Sequence, residues 1–229
     1  MAQPGWPVAA AGLAAVWGLL LLGNIATYLL RDQAGNLPSI WPDQKLDFDA
    51  EASIPAWYSS SLLLIAGALA VLVYARRRTS GTSAWRWLLL GVLLAAMSLD
   101  ETVSVHEAVG RALDARLDTT GMLHFAWLIV AWPLLVVAVF VFGPWLWRME
   151  RPTGVRLWVA AVLYFGGAVG MEMVGGLAAE HGGQDSLSFF LAYTVEESLE
   201  ILGLSLGVLT LAPLAYRAWT GPGSSLRAP

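Results

Sequence analysis

Seven carboxylates and two histidines sit within long apolar runs of this 229-residue chain. One run reads Ser98-Leu-Asp100-Glu101-Thr-Val-Ser104-Val-His106-Glu107, and another reads Thr194-Val-Glu196-Glu197-Ser-Leu-Glu200. Glu172 lies within Gly-Met-Glu-Met, and His124 opens a further apolar stretch. Arg111, four residues after Glu107, is spaced to pair with it on a helix. The other six acids have no basic residue at pairing distance in the sequence. Unpaired carboxylates in an apolar medium either hold protons or bind a cation. The expected chemistry is therefore a divalent metal site built from Asp100, Glu101, His106, Glu107, Glu172, Glu196, Glu197 and Glu200. The chain has no cysteine, which leaves oxygen and imidazole donors suited to Zn, Fe, Mn, Ca or Mg. Neither H-E-x-x-H nor the E-x-x-H of di-iron helices is present, so composition and depth carry this expectation. The plainer expectation is a hydrogen-bonded network of protonated carboxyls with Ser and Thr. His181, beside Glu180 in a Gly-rich connection, is expected to be solvated.

These residues need elements that hold them at one depth. The chain is 57% hydrophobic and 13% charged, with a mean hydropathy of +0.62. Soluble domains carry about a quarter of their residues as charges, so an ordinary cytosolic globule is excluded. A net charge of −4 supplies no basic footprint for nucleic acid. Six segments are long enough for a bilayer core about 30 Å thick: Val8–Leu30, Ile54–Tyr74, Ala84–Val109, Met122–Trp147, Val155–Ala178 and Leu187–Tyr216. The expected fold is all-α, a polytopic bundle of six transmembrane helices forming one domain over residues 1–219. The first span is read as uncleaved, because no basic leader precedes it. An outer loop covers residues 31–53, with Pro38 and Pro42, and residues 220–229 are a polar tail.

Nine of the thirteen basic residues fall on one side of this topology, which places both termini in the cytoplasm of an inner, or plasma, membrane. Asp100 and Glu101 then lie about 24 Å along the third span, at the depth of Glu172, Glu196 and Glu200. All converge on the outer half of the bilayer. The spacings Gly166/Gly170 and Gly203/Gly207 predict close helix packing on spans five and six, and Pro133 predicts a kink that opens a cavity. Asp47, Asp49 and Glu51 before Pro55 are expected to favour a helix N-terminus, or else to gather cations at the cavity mouth.

The runs D-x-E-x-x-I-P-x-W-Y-S-S and S-x-D-E-x-x-x-x-H-E resemble those of uncharacterised bacterial multi-pass proteins, a resemblance that implies no activity. More distantly, acids and an aromatic before a Ser-bearing helix resemble membrane ceramidases of the zinc-hydrolase superfamily. The late H-x-x-x-H pair of those enzymes is missing here, so no catalytic residue is carried over. Three functions fit these features. The first is a metal-dependent membrane enzyme acting on a lipid or other hydrophobic substrate. The second is a cation or proton transporter, against which stands the lack of acids in the inner half. The third is an accessory subunit of a membrane complex with a structural polar network.

Overall fold

In a computed structural model, the structure describes residues 5–31, 45–79 and 83–220. Most of these residues are helical, and no strand is found among them. The elements are α1 (Trp6–Leu30), α2 (Ile54–Thr79), α3 (Trp85–Val103), α4 (Val105–Leu117), α5 (Leu128–Trp147), α6 (Arg151–Phe165), α7 (Glu172–Gly182) and α8 (Leu187–Thr220). A 3₁₀ turn at Gly121–Leu123 precedes α5, and a π turn at Gly166–Met171 joins α6 to α7. Five helical units are long and apolar enough to cross a membrane, and the bent pair α3–α4 makes a sixth if counted as one span. The bundle has a basic end, which carries Arg76, Arg86, Arg148 and Arg156, and an acidic end, which carries Asp49, Glu51, Glu107 and Asp114. Pro38, Pro42, Gln44, Thr82 and the tail after Thr220 lie outside the described residues.

α2 and α8 form the centre. At the basic end, α2, α3, α6 and α8 enclose Ala70, Val73, Trp87, Leu157 and Leu211, with Leu146 of α5. Small residues set how closely the helices approach. A Cβ on Gly91 of α3 would stand 2.9 Å from the Gly67 carbonyl oxygen of α2 and 2.6 Å from Val71. Higher on the same seam, the Ser60 and Ser98 hydroxyls are 2.9 Å apart, and Ser98 also donates to the Ser60 carbonyl at 2.9 Å. Such hydrogen bonds between helices satisfy polar groups that have no water to turn to.

Three spans differ from the sequence expectation; the fourth opens at Leu128 instead of Met122, after the 3₁₀ turn. The third ends at Val103 instead of continuing to Val109, and the chain turns by 69° into α4. Ser104 takes the left-handed conformation (φ 54°, ψ 45°), and its N–H closes on the Asp100 carbonyl at 2.7 Å. That closure ends a helix without a glycine, at a steric cost of about 1–2 kcal/mol. The stripe from Met97 to Glu107 is therefore broken at its middle. The fifth span contains the π turn, one extra residue that rotates the rest of the span by about 100°. Gly166 and Gly170 consequently meet nothing within 4 Å, and neither does Gly207. The close approach to α8 falls instead at Gly203, whose Cβ would sit 2.8 Å from the Ala160 oxygen, and at Gly167, whose Cβ would sit 2.6 Å from the Glu196 oxygen. α5 runs through Pro133 and Pro144 without interruption.

The segment 45–53 returns over the acidic end. Phe48 is buried beside Leu20 and Ile201, and its N–H donates to Asn24 Oδ1 at 3.0 Å. Asn24, 1% exposed within α1, donates from Nδ2 to Thr194 Oγ1 of α8 at 2.9 Å. A single amide thus ties loop, first helix and last helix together.

Candidate functional site

α3 packs on α2, and α5 packs on α6 and the π turn, but α3 and α5 form no extensive interface with each other. The gap between them is a cavity of about 1120 Å³. Its basic-end half is apolar, lined by Leu89, Leu93, Leu134, Val137 and Phe142. Leu93, Leu134 and Val137 on this lining are themselves exposed. The acidic-end half holds all eight residues expected from the sequence: Asp100, Glu101, His106, Glu107, Glu172, Glu196, Glu197 and Glu200. Asp49 and Glu51 also line the cavity. Capping of α2 falls to Ser53 instead, whose hydroxyl accepts the Ala56 N–H at 3.2 Å.

The helix break builds the most ordered part of the site. Because Ser104 turns the chain, Asp100 receives the start of α4: its Oδ1 accepts the His106 N–H at 2.9 Å, and its Oδ2 meets His106 Nδ1 at 2.8 Å. A carboxylate only accepts, so the Nδ1 proton points to Asp100 and Nε2 is the free ring nitrogen. Nε2 faces Glu51 Oε1 at 3.9 Å. The imidazole lies edge-on to Trp127, with ring centroids 5.1 Å apart, and Trp127 Nε1–H donates to Glu172 Oε1 at 3.0 Å. Glu107 pairs with Arg111 at 2.9 Å, as the spacing predicts.

Outside the spans, burial pushes the Asp49 carboxyl up to about 6, helped by Asp47, Glu172 and Glu107 nearby. Burial also raises Glu51 above its usual range, although the Ser104 hydroxyl and His106 pull it down. Deeper in, Glu196 and Glu200 are 9% and 6% exposed, and Glu197 Oε2 is buried without a hydrogen-bond partner.

The divalent centre expected from the sequence is not supported. Among the described residues, no three His, Asp or Glu side chains are grouped so as to hold a metal ion. Three of the acids are engaged separately: Asp100 with His106, Glu107 with Arg111 and Glu172 with Trp127. His124 lines the cavity, while His181 Nδ1 stands 2.8 Å from the Leu177 carbonyl on an exposed surface. The sequence did not reveal the partners of Trp127, of Asn24, or of Glu180, which accepts the Gly121 N–H. A lone Asn in an otherwise apolar span was the one signal available for any of them.

The fold and site together define a polytopic helical protein, suited to a membrane, with an acidic cavity opening between two of its helices. The profile of a family described as a domain of unknown function, DUF8692, matches residues 9–214, and the chain belongs to that family. No match is found among curated proteins or among solved structures.

Proposed function

We propose that this protein is a membrane-embedded enzyme that takes the polar end of a lipid, or of another hydrophobic molecule, into its acidic cavity. The observation that carries the reading is the continuity of the cavity. An apolar half whose lining is partly exposed leads directly to an imidazole oriented by a carboxylate. His106, held by Asp100, acts as general base or acid through Nε2, and Asp100 stabilises the imidazolium as it forms. Glu51 Oε1, 3.9 Å from Nε2, is beyond direct hydrogen-bond reach and exchanges a proton with it through a bridging water. Ion or proton transport has less support, because the basic-end core is filled with Ala70, Val73, Trp87 and Leu211.

Native mass spectrometry of protein extracted in mild detergent tests the cavity, and lipid product analysis tests the chemistry. A retained amphiphile is expected in the unaltered protein and its loss in Ala138→Trp, which fills the gap from α5. His106→Gln should keep the amphiphile but lower turnover by about 100-fold or more. No retained amphiphile, or full turnover in His106→Gln, would sink the reading.

A further inference from the structure

Ten carboxylates line the cavity among the described residues, against Arg111, which Glu107 already engages. An acidic lining alone says nothing of a ligand, since each group can hold a proton. Glu200 adds a separate observation. It is 6% exposed, faces the cavity, and makes no hydrogen bond to any described group. One turn earlier on the same face of α8, Glu197 presents an oxygen that is wholly buried and equally unpartnered. Most buried side-chain polar atoms in folded proteins are hydrogen-bonded, and Glu197 and Glu200 line a cavity with room for another molecule to supply the partner.

The neighbourhood says which partner. Glu101 of α3 lines the same cavity, so acceptors from two helices face one space. An anionic head would be repelled there, and a neutral hydroxyl would satisfy one acceptor while leaving the remaining charge uncompensated. An ammonium group brings positive charge and up to three donors, matching the unmet acceptors. A bare ion would leave the apolar half of a cavity of about 1120 Å³ without an occupant. We infer that the amphiphile bound in this cavity carries a cationic amine head, held by Glu197 and Glu200 with Glu101 opposite. This deepens the proposed function and rests on it, because it needs the same cavity to admit a hydrophobic chain.

Photoreactive sixteen-carbon probes ending in an amine, an alcohol or a carboxylate, each in phosphatidylcholine nanodiscs, test the inference. The reading is cross-link yield on peptides of α3 and α5. The amine should exceed the carboxylate by at least about 10-fold and the alcohol by several-fold. Excess butylamine, which carries the charge without the chain, should not compete. In Glu197→Gln/Glu200→Gln the amine yield should fall to that of the alcohol. The head-group ranking in the unaltered protein stands as a test even if the double variant fails to fold. Equal yields from all three heads, an unchanged amine yield in a folded double variant, or full competition by butylamine would overturn the cationic head alone. Cross-linking by none of the probes would overturn the amphiphile cavity with it.

Discussion

Asp49 lines the cavity from outside the spans, where burial and neighbouring acids lift its carboxyl to about 6 from an ordinary 3.8. An acid whose folded value lies above its unfolded one takes up a proton on folding. Its penalty is absent below about pH 4, grows through the interval, and is complete above about pH 6. Stability should therefore fall as pH rises across that window. Asp49→Asn should remove part of the slope and raise stability at pH 7.5 by about 1 kcal/mol or less, since the group is solvent-screened. Thermal melts in detergent at pH 4.5 and 7.5 would check it; an identical pH profile in the variant would clear Asp49 of the role. At this scale the sequence indicated which residues matter better than whom they meet. All eight candidate ligands reach the cavity, because acids in apolar helices have nowhere else to go. The pairing of Asp100 with His106 was not legible, since it exists only after Ser104 turns the chain, and neither Gly nor Pro marks that turn. The hydrogen bond from Trp127 to Glu172 joins residues 45 apart and leaves no mark in the local sequence.

Helix boundaries were legible where an uninterrupted apolar run decides them, and α1, α2 and α8 lie close to their expected limits. They were not legible where backbone geometry changes within a run. The π turn is the clearest case: Gly166 and Gly170 have the spacing of a packing motif, yet one inserted residue hands the contact to Gly167. The two assignments make opposite predictions. Gly203→Leu should push α8 away from Ala160 and Tyr164, and Gly167→Ala should collide with the Glu196 carbonyl and the Glu200 side chain. Each should lower stability by about 1–3 kcal/mol through overpacking. Gly170→Ala and Gly207→Ala meet open space and should change the melting temperature little. Equal losses in all four variants would restore the regular G-x-x-x-G face and remove the π turn from the account.

The class of the molecule followed from composition, because so few charges over so many apolar residues leave no polar shell to enclose a core. A cavity was expected from a kink at Pro133, but α5 runs on through that residue, and the space results instead from α3 and α5 forming no extensive interface, which no pattern along a chain records. Orientation rests on the basic end facing the cytoplasm, and the number of crossings rests on whether α3, 19 residues and about 28 Å long, spans by itself. One experiment separates these. The chain has no cysteine, so a single introduced thiol reports alone. Ser83→Cys lies at the basic end before α3, and Asp185→Cys at the acidic end before α8; both positions are exposed. Three crossings separate them if α3 spans, and two if α3 and α4 form a re-entrant pair. An impermeant maleimide on intact cells should label Asp185→Cys at once and Ser83→Cys only after permeabilisation. The opposite pattern would keep six crossings but turn the His106 cavity toward the cytoplasm. Labelling of both from one face would make α3–α4 re-entrant, and the acidic cavity would then be entered along a hairpin that never crosses the bilayer.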